Sequence, residues 1–439
     1  MLCGVLHFMT APGQTTGVSV FIDPMIDGLG LTRSQVSTAY MIGTLSAALM
    51  QPLFGRLFDR KGPRRSTLLI GAVFGFVLIA MAGVTGFVTL VLGFFGIRAL
   101  GQGGLSVVAG TTPALWFDRR RGIAIASSTA IGSVGNSMVP LITAAVIAVV
   151  GWRATWLVYA AAVWIVVLSI GRWGLINSPG AVGQHLDGIP PRRDVVAEQR
   201  PADTRDDLRD EVASASSPMT AAPDGDPDTP GGLAGKTGHA ATVGTGFTRA
   251  EAMRTPIFWA VTGAVATGGL TTTALTFHQI SILGEQGLTT IEAATNFVPQ
   301  TVAALIATLA FGTLIDRVRQ RYLLVFTMAL IATAMVGVRF VAPGVLALLY
   351  GLVLGAGQGA MRSIGGASYA KLFGTRAAGE IRGVAKMISS GASAFGPVAL
   401  ALGFALTGSY RQVLVAMLLL PAGASTLALL APEVRKPVH

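Results

Sequence analysis

Cysteine is nearly missing: Cys3 stands alone in 439 residues. That excludes an intrachain disulfide and any metal site built from several thiolates. The five histidines have no metal-ligand spacing either. Charge is also scarce, at 12% of residues against about 25% in a soluble globular protein. No pair of carboxylates falls inside the apolar runs, so acid–base catalysis has no candidate. The cluster "GQGG" at Gly101 follows no strand and precedes no Lys, so it reads as helix-packing glycine rather than a phosphate loop. A cleavable leader is not evident: the N-terminus lacks a positive region, and its first run leads into "APGQTTG". Met1 opens almost inside that run, so a start further upstream is a further expectation.

What is present is apolar sequence, 52% of the chain. About twenty such residues cross a roughly 30 Å hydrocarbon layer as a helix. Twelve segments qualify, at 2–22, 34–54, 66–85, 88–112, 122–149, 154–174, 256–280, 290–314, 322–341, 344–368, 384–407 and 411–431. None alternates apolar with polar residues as a membrane strand does, so the predicted class is an all-α membrane protein. Residues 175–247 differ. In "EVASASSPMTAAPDGDPDTPGGLAGKTGHAATVGTG" too little apolar surface is available to offset ordering entropy, which predicts a disordered linker. "FTRAEAMRTPIFW", from Phe247, reads as a short amphipathic lead-in or as the start of the seventh helix. The predicted organisation is a six-helix bundle at 1–174, a linker to 255, a second bundle at 256–431 and a tail at 432–439.

The net charge of +11 would point to nucleic acid in a soluble protein. Here the basic residues sit at the ends of apolar runs, which is a topology signal. With the N-terminus inside, the short inner loops carry fourteen Lys and Arg, from Arg56, Arg60, Lys61, Arg64 and Arg65, through Arg119–Arg121, to Arg317, Arg319, Arg321, Lys371, Arg376 and Arg382. The outer side has Arg33, Arg153 and Arg411, with Arg339 at a helix end. Both termini are therefore expected in the cytoplasm.

The chain also repeats itself. "GRLFDR" at Gly55 returns as "GTLIDR" at Gly312, "GQGGLS" at Gly101 as "GQGAMR" at Gly357, and "TTGVSVF" at Thr15 as "TTTALTF" at Thr271. "GLT" at Gly30 recurs at Gly287, and Pro140 aligns with Pro397. One register runs end to end. Two halves of six helices enter the membrane in the same sense, as a parallel repeat with a site expected at their seam near the midplane.

These features resemble the major facilitator superfamily over nearly the whole chain. The loop Gly55, Leu57, Asp59, Arg60, Gly62, Arg64, Arg65 is similar to the family's G-x-L-x-D-R-x-G-x-R-R, and Gly312, Leu314, Asp316 and Arg317 are its weaker copy. Arg98 ahead of Gln102 and Gly103 is similar to the family's fourth helix. "PGQTTGVSVFID", "FDRRRGIAIA", "RTPIFW", "FHQISILGEQGLT" and "EIRGVAK" look most like the bacterial monocarboxylate and oxalate:formate branch. The chain departs from that branch in helix eight, where Thr308 stands at the usual basic position, and in helix one, where Gln14, Thr15 and Thr16 replace a Lys.

Candidate residues follow. The resemblance implies that Asp59 and Arg60, with Asp316 and Arg317, form a gate lock at the cytoplasmic end; topology alone is the other reading of this basic knot. Gly55 and Gly62 would permit its tight turn. Arg98 lies about 15 Å into its helix, too deep to snorkel easily, and either binds an anion or satisfies carbonyls of helices one and two. Gln14 and Thr15 lie beside Pro12 and Gly13, where a broken helix favours substrate contact. His278 either carries a coupled proton, lines the outer gate, or is a hydrogen-bonded interfacial His. Asp23 is an outer gate contact or a solvated carboxylate. Arg362, Lys386 and His7 are possible substrate or coupling residues, with Arg362 also able to snorkel inward. The expectation is a secondary transporter in the bacterial inner membrane, moving a small organic anion such as a monocarboxylate by proton coupling or exchange. Its partners would be that substrate, protons and the bilayer, with no nucleic acid, cofactor or obligate protein partner. Efflux of hydrophobic or amphipathic compounds is the first rival, although Gly132, Gly135 and Pro140 miss the drug-antiporter spacing of helix five. A non-transporting sensor is the second.

Overall fold

A computed structural model describes residues 1–117, 121–177, 246–374 and 376–432 of the chain. The predicted linker and tail, and Arg119 and Arg120, lie wholly or mostly outside these residues. In hydrocarbon every backbone N–H and C=O needs an internal partner, and the helix supplies one for each. The described residues accordingly contain no strand, only an isolated bridge between Gly246 and Gly374.

The first crossing, α1 (residues 2–29), is broken into Leu2–Phe8, a 3-10 turn at Ala11–Gly13, Thr15–Ser19 and Ile22–Leu29. Arg33–Ala82 is two helices, α2 (33–61) and α3 (63–82), separated at Gly62 with φ of 72°. The fourth, α4, runs through Phe87–Ile97, a π-helical stretch Arg98–Leu105, and Ser106–Trp116. Gly151, φ 79°, divides Arg121–Val163 into α5 (121–150) and the start of α6 (152–174). A short helix Arg249–Met253 then precedes α7, made of Pro256–Phe277 and Gln279–Gly284. The last five are α8 (Thr290–Thr295 and Phe297–Arg317), α9 (Gln320–Gly337), α10 (Val345–Phe373), α11 (Ala378–Thr407) and α12 (Tyr410–Met417 and Leu419–Leu430).

Eight continuous helices of the described residues are long and apolar enough to cross a membrane. Two of them reverse at a glycine and cross twice, and the broken α1 and α7 complete twelve. The expected fold class holds. One local expectation does not: Gly62 makes the tight turn, but Gly55 lies inside α2 with nothing near the position of a Cβ. The lead-in also resolves into a separate helix, capped by Thr248, whose Oγ1 accepts from the Glu251 N–H while the Glu251 carboxylate accepts from the Thr248 N–H.

The internal repeat is visible in the backbone. Gly30 and Gly287 both adopt positive φ, 62° and 86°, conformations that glycine takes without strain. Two residues later Thr32 and Thr289 each cap a helix in a reciprocal box with Gln35 and Glu292. Each half has its own apolar core, one around Phe21, Phe94 and Trp156, the other around Phe258, Phe297 and Phe373.

Without a hydrophobic force between helices in lipid, close approach at small residues holds them together. Gly355 of α10 shows this: a Cβ there would lie 2.1 Å from the Gln300 carbonyl oxygen of α8. Gly355→Val is expected to cost about 1–3 kcal/mol by overpacking and to lower the thermal midpoint in detergent, whereas Gly391→Ala, with open space around it, is expected to leave that midpoint unchanged.

Candidate functional site

The break in α1 begins the site. Pro12 has no N–H to donate, and Gln14 is extended at φ −88°, ψ 153°. The freed Gly13 carbonyl accepts from Arg98 Nη1 at 3.0 Å. Arg98 also reaches Thr15 Oγ1 at 3.5 Å and lies over the Tyr40 ring, 4.9 Å from its centroid. Thr15 in turn pairs with the Tyr40 hydroxyl at 2.7 Å. Gln14 Nε2 donates to Thr10 at 3.1 Å. Arg98 is thus 5% exposed and sits behind the segment that carries Gln14 and Thr15. In this conformation Arg98 Nη1 is engaged by a helix-one carbonyl and the guanidinium lies over an aromatic face, in keeping with the structural reading of the two, while its Nε has no hydrogen-bond partner among the described residues.

In front of that segment lies a cavity of about 950 Å³ between the two halves. His7, Gln14, Thr15, Arg362 and Lys386 line it; Arg98 and His278 do not. Arg382, considered from sequence only as a loop charge, lines it too. Lys386 follows Arg382 by four residues on α11, so both project from one face, continued by Ser389, Ser390 and Ser393. Arg362 comes from α10, beside α8. Thr308, the α8 position without its basic residue, bonds instead to the Ala304 carbonyl and to the Gly359 carbonyl of α10. The lining is otherwise rich in hydroxyls and amides, and none of the described lining residues is acidic.

The cavity extends toward the end with the basic loops and is closed at the other. There Arg33 Nη2 pairs with Asp23 at 2.8 Å, and Arg33 Nη1 donates to Ser281 of α7 at 2.7 Å. Ser281 Oγ lies 2.8 Å from both Asp23 oxygens. The Arg33 guanidinium also lies 5.7 Å from the centroids of Phe404 and Tyr410, at the ends of α11 and α12. Burial pushes the nearby Glu285 carboxyl up, against the pull of Arg33. His278, fully buried at the break in α7, bonds to the Pro397 carbonyl at 3.0 Å and reaches Ser37 of α2 at 3.5 Å. Tyr40 and Phe277 pack beneath, with centroids 4.5 Å apart. Asp23 and His278 therefore lie at one contact region between the halves, a candidate latch. Arg33 and Ser281 were missed as latch residues, because nothing local in the sequence pairs residues 248 positions apart.

At the open end the expected lock is not closed. Asp59, Arg60, Asp316 and Arg317 are exposed, and no ion pair joins them among the described residues. Arg64 instead fastens the α2–α3 turn to the end of α6. Its N–H donates to Asn177 Oδ1 at 3.2 Å and its side chain to the Arg172 carbonyl at 3.0 Å.

Twelve crossings in two repeats around a closed-ended cavity define a secondary transporter of the alternating-access kind. The chain belongs to the Major Facilitator Superfamily, whose family profile matches residues 4–397. It is a multi-pass membrane protein that binds a small-molecule substrate, and it is not an enzyme. It is similar to a probable sulfoacetate transporter, SauU, of Cupriavidus necator, 25% identical over 164 residues. That match covers 37% of this chain and only 38% of the relative's length. Among solved structures it is similar to an inward-facing, occupied bacterial homolog of the human lysosomal transporter Spinster, with TM-score 0.66, 15% identity and coverage of 98% and 95% of the two chains. The nucleoside transporter NupG is comparable, with TM-score 0.69, 12% identity and coverage of 98% of each chain. At such identities the likeness is one of fold.

The latch is tested by accessibility. Ser37 is fully buried under it. In a Cys3→Ser background, a Ser37→Cys protein is expected to react slowly with a maleimide applied from the Asp23 side, and Arg33→Ala is expected to raise that rate at least several-fold. An unchanged rate would mean that Arg33 does not hold this end shut.

Proposed function

We propose that the chain moves a small organic anion, a carboxylate or sulfonate, by rocking its two halves about the central cavity. The observation that carries this is the presence of Arg362, Arg382 and Lys386 on the cavity wall with no carboxylate among the described lining residues. Cations that neutralise no acid among the described residues are available to one that arrives from solution. At an effective dielectric near 20, a pair of opposite charges about 4 Å apart gains roughly 4 kcal/mol. The hydroxyls and amides of Gln14, Thr15 and Gln300 would orient the substrate. Such a wet, basic lining disfavours the efflux of hydrophobic compounds. The partial likeness to a carrier named for a sulfonated acid, and the resemblance to the monocarboxylate and oxalate:formate branch, support the same class.

In this reading Arg98 is a positioning residue: it holds the broken α1 so that Gln14 and Thr15 face the cavity. The basic loops lie in the cytoplasm with both termini, in keeping with the charge asymmetry, so this conformation is open inward. Asp59 and Arg60, with Asp316 and Arg317, close that end when the Asp23 latch opens. Among the described lining residues His7 is the only imidazole, the side-chain type best suited to exchanging a proton. In a proton-coupled cycle the proton therefore rides on His7 or on the substrate's own acid group; exchange of one anion for another needs neither.

The test is uptake of labelled small carboxylates and sulfonates into proteoliposomes, with and without an inward proton gradient. Arg362→Ala and Lys386→Ala are each expected to lower uptake at subsaturating substrate about tenfold, the effect of losing roughly 1.4 kcal/mol of charge-assisted binding. Full uptake by both variants would remove the cavity cations from the mechanism. His7→Gln is expected to abolish stimulation by the gradient while leaving anion exchange in place; stimulation that persists would move the proton to the substrate.

A further inference from the structure

Three buried amides join α7, α8 and α10. Asn296 Nδ2 donates to the Ala347 carbonyl at 2.5 Å, and Gln279 Nε2 donates to the Ala293 carbonyl at 3.4 Å. A backbone carbonyl only accepts, so each of these amides must turn its NH₂ outward to that carbonyl and its oxygen inward. Both oxygens then face one group. Gln300 Nε2 lies 2.9 Å from Gln279 Oε1 and 2.9 Å from Asn296 Oδ1. An amide nitrogen has two hydrogens, and both are now used. The orientation of Gln300 is thereby decided by two backbone carbonyls on either side of it.

The consequence is directional. Gln300 is only 2% exposed, yet it is part of the cavity wall. Its Oε1 receives no hydrogen bond from the described residues and is not among the buried polar atoms closed off without a partner, so it faces the cavity. The residue cannot simply turn over, because that would set its oxygen against two others. Its backbone is equally confined, with Gly355 packed on its carbonyl. In a wall whose charges all invite an anion, this is a fixed acceptor.

We infer that Gln300 selects, among small organic anions, those that also present a hydrogen-bond donor: an anion with an O–H or N–H close to its acid group, as in a 2-hydroxy acid, over the analogue in which that donor is a C–H. This rests on the anion reading above. A site built to accept a hydrogen bond rejects the analogue that leaves its buried acceptor unpaired.

The experiment is competition against uptake of labelled glycolate by the unmodified protein in proteoliposomes, using matched pairs: glycolate and acetate, lactate and propionate, isethionate and ethanesulfonate. The hydroxylated member of each pair is expected to compete about tenfold better. Gln300→Leu is expected to bring the two members of a pair to parity, and Gln279→Leu, which frees one Nε2 hydrogen to turn toward the cavity, to narrow the preference. Equal competition within every pair by the unmodified protein would overturn the role of Gln300 while leaving the anion reading intact. Absence of glycolate uptake, with no anion inhibiting any transport, would overturn both. The comparison on the unmodified protein decides the matter even if Gln300→Leu fails to fold.

Discussion

Arg33 bridges the two halves at the far end of the cavity, and the rest of the arrangement is organised around that contact. One guanidinium meets the carboxylate of Asp23 in its own half, the hydroxyl of Ser281 in the other, and two aromatic rings at the ends of α11 and α12. The pair is partly exposed, at 22% and 36% for the two side chains. Such pairs contribute only about 0–1 kcal/mol each. That weakness suits a contact that must break once in every cycle. Beneath it His278, reaching Ser37, and the tilted Tyr40–Phe277 pair join the two halves through buried contacts. At the opposite end the basic loops stand apart, so the two halves meet firmly at one end only.

Charge inside the membrane takes two forms here. Arg98 is buried, and a buried charge needs several partners. It finds them in the carbonyl that a broken helix leaves open and in the face of Tyr40. Arg362, Arg382 and Lys386 are exposed on the cavity wall, and none of the described lining residues is acidic. The first kind of cation is engaged within the fold; the second is the kind that, in the proposed function, meets the substrate. A similar division separates the polar neutral groups. Gln279 and Asn296 satisfy backbone carbonyls at the join of α7, α8 and α10, and Gln300, held between them, turns its remaining atom to the cavity.

Much of the fold was legible in the chain. Hydropathy located the twelve crossings, and the offset repeat anticipated that Gly30 and Gly287 would serve the same turn. The Pro12–Gly13 pair marked the break in α1. The site was only half legible, and the reason is geometric. Counting residues along a helix yields depth but not direction around the axis, and the π-helical stretch that begins at Arg98 alters the direction further. Depth alone left Arg98 as either an anion ligand or a structural Arg; its direction around the helix brings it to the Gly13 carbonyl. Arg362 and Lys386 were read as possible substrate or coupling residues near the inner edge and Arg382 as a loop charge; the fold sets all three on the cavity wall. His278 lay near its expected height but at a break in α7, where the Pro397 carbonyl takes its ring nitrogen. Gly55 and Gly62 were equivalent in the motif, yet only one of them has a positive φ.

The central claim is that the cavity recognises negative charge. The direct measurement is a concentration jump on a solid-supported membrane carrying the purified protein, comparing a small carboxylate with its uncharged amide of the same shape. A transient current with the carboxylate, saturating with concentration and missing with the amide, is the result this account predicts. Equal responses to both, or a response to neither alongside one to a hydrophobic cation, would contradict it.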